Sequence, residues 1–124
     1  MKVKVAKSIL IIITSIFYTL VGIKHFIDPN YFLEIVPPYL PFPLGLVYIS
    51  GFFEILFGIM ILIPKYRYYG SIGIILLLIA VFPANIYLAQ NEEAQIALGA
   101  SKNIALWRLP IQGILIAIAY WIRK

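Results

Sequence analysis

This chain predicts an all-α fold, a bundle of four transmembrane helices, and three observations carry the prediction. Four long apolar stretches run through its 124 residues, and prolines, lysines and arginines separate them. Hydrophobic residues make up 63% of the chain and charged residues 12%. An ordinary soluble domain is about 45–50% apolar and about 25% charged. A chain of this composition has too little polar surface to cover itself in water, so the bilayer must be its solvent. Its length suits a single domain over residues 1–124.

The first span is expected at about residues 5–25, around SILIIITSIFYTLVGI. Lys2, Lys4 and Lys7 precede it, as they would precede a signal peptide. The run is too long for a signal h-region and lacks a small-residue cleavage site, so it reads as a retained helix. The second span is expected at about 44–63, closing at Pro64. The third is expected at about 70–89 and the fourth at about 104–122. Each holds about 19–21 residues, and at about 1.5 Å per residue that matches a hydrocarbon core of about 30 Å.

The longest connection is DPNYFLEIVPPYLPFP. Asp28 followed by Pro29 reads as a helix N-cap and first-turn proline. The segment NYFLEIV is expected to form about two turns lying in the interface, with Tyr31, Phe32 and Ile35 dipping inward. Pro37, Pro38, Pro41 and Pro43 forbid a continuing helix and favour a stiff extended segment. That segment is expected to lid one end of the bundle; the plainer alternative is a rigid spacer. Residues 91–101 read as a loop.

Lysine and arginine set the expected orientation. Lys2, Lys4, Lys7, Lys65, Arg67, Arg123 and Lys124 fall on one side, while Asp28, Glu34, Glu92 and Glu93 fall on the other, with Lys102 among them and Lys24 at its border. The positive-inside rule then places both termini in the cytoplasm and the proline-rich connection outside it. The same flanking pattern explains the net charge of +5 without a nucleic-acid partner. There are no cysteines, which excludes thiolate chemistry and cysteine-ligated clusters within the chain. A single histidine leaves a bis-histidine haem dependent on a second chain, and no metal site is expected.

Against this apolar background five polar residues stand out. Glu54 lies near the middle of the second span, Asn85 and Arg108 about one turn from the outer ends of theirs, and His25 at the outer end of the first. Gln112 shares a helix face with Arg108, four residues on. Ionisable groups within a membrane segment are expensive and therefore candidates for function. Each also has a structural reading. Arg108 can snorkel to headgroups, His25 can bond the following loop, and Asn85 can tie helices together. Glu54 cannot snorkel from mid-span, so it is expected protonated, paired with Arg108 or bonded to a ligand. Ser50, Gly51, Glu54 and Gly58 form one stripe, and Tyr18, Gly22 and His25 another. Pro83 is expected to kink the third span just below Asn85.

The strings GIKHFIDPNYFLEIVPPYLPFP, LVYISGFFEILFGIMILIPKYR, LLLIAVFPANIYLA and ALWRLPIQ together resemble the DoxX family of small bacterial four-helix membrane proteins. The resemblance runs from about Gly22 to the C-terminus. It implies a four-helix bundle in the bacterial cytoplasmic (inner) membrane, with His25, Glu54, Asn85 and Arg108 at matching places. Relatives linked to thiosulfate:quinone oxidoreduction and to membrane oxidoreductase complexes imply a quinone as candidate cofactor.

Four functional classes are open at this point. The chain is a quinone-interacting component of a membrane oxidoreductase, with a partner supplying electrons. Alternatively it binds a lipophilic small molecule without catalysis, acts as an isomerase with Glu54 and His25 as acid and base, or serves as a structural assembly subunit. The glycine stripe on the second span serves internal packing or a homo-oligomer.

Overall fold

The computed structural model describes residues 2–124, and they are helical almost throughout. The elements are α1 (Lys2–Ile27), α2 (Pro29–Leu33), α3 (Pro43–Leu62), α4 (Arg67–Gln90), α5 (Glu92–Leu98) and α6 (Lys102–Ile122). α1, α3, α4 and α6 are each long and apolar enough to cross a membrane. α1, α4 and α6 extend to or slightly beyond the spans expected from hydropathy, while α3 starts one residue early and ends one residue early, at Leu62.

The long helices follow one another around the bundle in chain order. α1 packs chiefly on α3, α3 on α4 and α4 on α6, whereas α6 returns to α1 through only a thin contact. α2 rests on α1 and α3, and α5 on α4 and α6. Burial is confined to narrow stripes. On α1 the buried positions are Ile11, Thr14, Ser15, Tyr18, Gly22 and His25, a helical repeat of three and four. Ile9, Ile12, Ile13, Ile16 and Leu20 face outward and are exposed. Outward apolar side chains are the arrangement expected when lipid is the solvent.

The tightest seam joins α1 to α3. A Cβ on Gly22 would lie 2.7 Å from the Gly51 carbonyl oxygen, and one on Gly51 would lie 2.6 Å from the Cβ of His25. The two backbones therefore touch with no side chain between them, as small residues allow in lipid. Further along the seam, Ser15 donates its hydroxyl proton to the Gly58 carbonyl at 2.6 Å. At the end away from α2, Ile11, Ile61, Ile74, Leu78, Ala119 and Ile122 close the bundle with a solid apolar core. There Arg67 donates from Nε to the Ile61 carbonyl at 2.8 Å and satisfies the C-terminus of α3.

The connection between α1 and α3 differs in part from expectation. Its helix is a single short one, Pro29–Leu33, followed by turns, and the Asp28 side chain makes no capping bond. Pro37 and Pro38 restrict the backbone before a second turn is complete. The inward side chains are nonetheless seated: Ile35 and Pro37 are buried, and Phe32 stacks on His25. Phe42, between two prolines, adopts a left-handed conformation (φ 51°) that turns the chain into α3 and leaves its ring 82% exposed. The expected loop at residues 91–101 contains α5. Asn91 caps it by accepting from the Ala94 amide at 2.9 Å, and Gly99 (φ 69°) ends it.

Candidate functional site

Beneath α2 and the turns after it, the four long helices diverge around a cavity of about 420 Å³. All five residues singled out in the sequence line it: His25 from α1, Glu54 from α3, Asn85 from α4, and Arg108 and Gln112 from α6. The rest of the wall is largely apolar, including Phe17, Val21, Val47, Leu78, Ile111 and Leu115. Its volume lies within the range of about 300–1,000 Å³ common for small-molecule sites.

His25 is held on three sides. Its Nδ1 donates to the Val21 carbonyl at 2.8 Å, which fixes the proton on that nitrogen. Phe32 stacks on its ring at 3.6 Å between centroids, and Gly51 packs against its Cβ. Nε2 has no hydrogen-bond partner among the described residues, and His25 lines the cavity.

Glu54 lies with its Oε2 3.4 Å from the His25 Nδ1. That nitrogen's proton is already directed at Val21, so Oε2 gains proximity but no hydrogen bond. Glu54 is 9% exposed, and an unsatisfied carboxyl oxygen at that depth is costly. The direct Glu54–Arg108 pair considered from the sequence is not formed. α3 and α6 stand on opposite sides of the cavity, and α4 packs between them. Arg108 is half-buried, lines the cavity and makes no ion pair among the described residues.

Asn85 and Gln112 form a separate unit. Asn85 donates from Nδ2 to Oε1 of Gln112, and Gln112 donates from Nε2 to the Leu78 carbonyl. α4 runs unbroken through Pro83, which denies the Ile79 carbonyl its usual partner one residue further on. Gln112 therefore ties α6 to α4 at the turn that the proline weakens. Gln112→Leu is expected to lower stability by about 1–3 kcal/mol, since it leaves the Asn85 amide without its partner and removes the bond from α6 to the Leu78 carbonyl. Thermal unfolding in detergent measures it, and an unchanged midpoint would assign the Asn85–Gln112 link no structural weight.

Tyr18 is the residue that sequence reasoning missed as a site. It is 4% exposed, lines the cavity, and its hydroxyl has no partner. The signal was its place on one helix face with Gly22 and His25. A tyrosine inside an apolar span otherwise reads as packing. Tyr18 and Glu54 thus bring two unpartnered polar atoms to adjoining helices of one apolar chamber. Among the described residues no three histidine or acidic side chains converge as metal ligands.

Neither a curated protein nor a solved structure matches the chain. Residues 14–123 match the family described as Domain of unknown function (DUF8561), a match that takes in α3, α4 and α6, α1 from Thr14 onward, and every residue of the cavity named above. The chain belongs to that family.

Proposed function

We propose that this protein binds a lipophilic small molecule in the chamber beneath α2, as a component of a membrane oxidoreductase system. The observation that carries the reading is the pair of buried, unpartnered atoms, Glu54 Oε2 and the Tyr18 hydroxyl, in a ligand-sized apolar cavity. Buried polar atoms are normally satisfied, and two unsatisfied ones on residues that line an apolar chamber suit a polar group brought by a ligand. A purely structural bundle would gain by replacing both with apolar residues.

A quinone is the leading candidate, in keeping with the resemblance to DoxX proteins. The donors that suit its carbonyl oxygens are the Tyr18 hydroxyl and the Arg108 guanidinium, and Glu54 suits a reduced hydroxyl. When bound, a quinone would supply two-electron redox chemistry, with electrons delivered by a partner protein. This chain's part is to hold and orient the ring, exclude water and keep a carboxyl and an imidazole nitrogen at its edge. A second reading, a non-catalytic lipid-binding or assembly subunit, draws on the Asn85–Gln112–Leu78 link, whose role is to hold α4 to α6.

Extraction of the protein purified in mild detergent, followed by mass spectrometry of the lipids it carries, separates the readings. A stoichiometric quinone supports the first, and a different lipophile supports the second. A protein that carries only bulk phospholipid contradicts ligand binding altogether.

The membrane proposed is the bacterial cytoplasmic membrane, with Lys2, Lys4, Lys7, Lys65, Arg67, Arg123 and Lys124 on the cytoplasmic side and α2 and α5 outside. Reporter fusions at Lys124 and within 91–101 are expected to report cytoplasm and periplasm respectively. The reverse result would overturn this orientation.

A further inference from the structure

We infer that the ligand is a single-chain amphiphile, with a hydroxyl-bearing head in the chamber and a hydrocarbon tail that leaves sideways between α1 and α6. The inference rests on the binding function proposed above and adds the chemical class of the ligand and its route.

The head follows from the two orphaned atoms. Glu54 Oε2 and the Tyr18 hydroxyl both lack partners, and a hydroxyl, which gives one hydrogen bond and accepts others, has what each of them needs. A carbonyl satisfies only the tyrosine. A chamber of about 420 Å³ is near the small end of ligand sites and suits a ring-sized head. Anything longer must leave it.

Beneath α2, Ile35 and Pro37 are buried over the chamber. The opposite end is closed by the core around Ile61, Ile74 and Ile122, each fully buried. The α1–α3 seam is shut by backbone contact at Gly22 and Gly51. α3 packs closely on α4, and the α4–α6 seam is latched by Gln112 to Asn85 and to the Leu78 carbonyl. Among the described residues, α1–α6 is the most thinly packed seam between neighbouring long helices. Phe17 and Ile111 line the chamber, yet they are 45% and 47% exposed on the bundle's outer surface. With Val21 and Leu115 they line the chamber from α1 and α6 with apolar side chains, and the inferred aperture lies among them. Such an aperture suits hydrocarbon and rejects a polar head. Its outer side meets the acyl region of the bilayer, so a tail passing through remains in lipid.

The test uses the protein in nanodiscs and para-dodecylphenol carrying a photoreactive diazirine at mid-chain, with and without excess para-cresol as a head-only competitor. Labelled peptides are identified by mass spectrometry. The expected result is cresol-sensitive labelling at Phe17, Val21, Ile111 or Leu115, lost in Ile111→Trp, which obstructs the aperture from a lipid-facing position. Cresol-sensitive labelling confined to residues 31–40, or to α3 and α4, would overturn the lateral route while leaving the binding function standing. So would undiminished labelling in Ile111→Trp. Labelling that cresol does not reduce, and that Glu54→Gln and Tyr18→Phe leave unaltered, would overturn both the inference and the binding function it rests on.

Discussion

Glu54→Gln is expected to leave the bundle folded while weakening retention of the bound lipophile about 10- to 150-fold, the effect of losing one charge-assisted hydrogen bond of about 1.5–3 kcal/mol. The substitution preserves the shape of a side chain that is 9% exposed and changes only what Oε2 offers to the chamber. Binding is read from the amount of lipophile that co-purifies per protein, and folding from the thermal midpoint in detergent. The scaffolding alternative predicts the reverse pattern. If Glu54 serves only to hold His25 in place, at 3.4 Å, the midpoint falls and the bound lipophile is unchanged.

Gly51→Ala is expected to act in the opposite manner, lowering stability first and binding as a consequence. The new methyl would lie 2.6 Å from the His25 Cβ and 2.9 Å from the Gly22 carbonyl oxygen. Neither is the free end of a flexible side chain, so α1 and α3 must separate. Overpacking of this kind costs about 1–3 kcal/mol. His25 is displaced with α1, and its stacking on Phe32 and its place at the chamber wall go with it. Gly113 supplies the control. A Cβ there meets nothing within 4 Å, so Gly113→Ala is expected to leave stability unchanged or raise it slightly through better helix propensity. Equal midpoints for the two variants would show that the α1–α3 seam is not close-packed.

The contrast between these glycines marks what was legible in the sequence. Gly51, Glu54 and Gly58 fall at helical spacing, and so do Tyr18, Gly22 and His25; all six are buried. Hydropathy gave the four long helices because lipid demands about twenty apolar residues in a row. It gave depth for each polar residue as well. Depth is not azimuth, however. Glu54 and Arg108 were close enough in depth to suggest a pair, but the order of helices around the bundle puts a cavity between them and leaves His25 as the neighbour of Glu54.

Other features were written in the chain but in a different alphabet. In the sequence α5 reads as a loop, because its seven residues are too few and too polar to register as a span. Its true signals were Asn91 before it and Gly99 after it, residues suited to a cap and a left-handed stop. The partner of Gln112 was not legible at all. It is a backbone carbonyl, that of Leu78, and only the packing of α6 on α4 brings the two together. The α2 segment was shortened by the same prolines that identified it, since Pro37 and Pro38 act on residues before them as well as after.

If the chamber beneath α2 is a ligand site, filling it with a larger side chain must expel the ligand. Val47 is 4% exposed and lines the chamber, whereas Ile49, two residues along α3, is 56% exposed on its outer face. Native mass spectrometry of wild type, Val47→Trp and Ile49→Trp, each first shown to be folded by its helical circular dichroism, reads occupancy as a bound mass. The account predicts the same lipophilic adduct on wild type and Ile49→Trp, and none on Val47→Trp. An adduct kept in full by folded Val47→Trp, or absent from the wild-type protein, would contradict it.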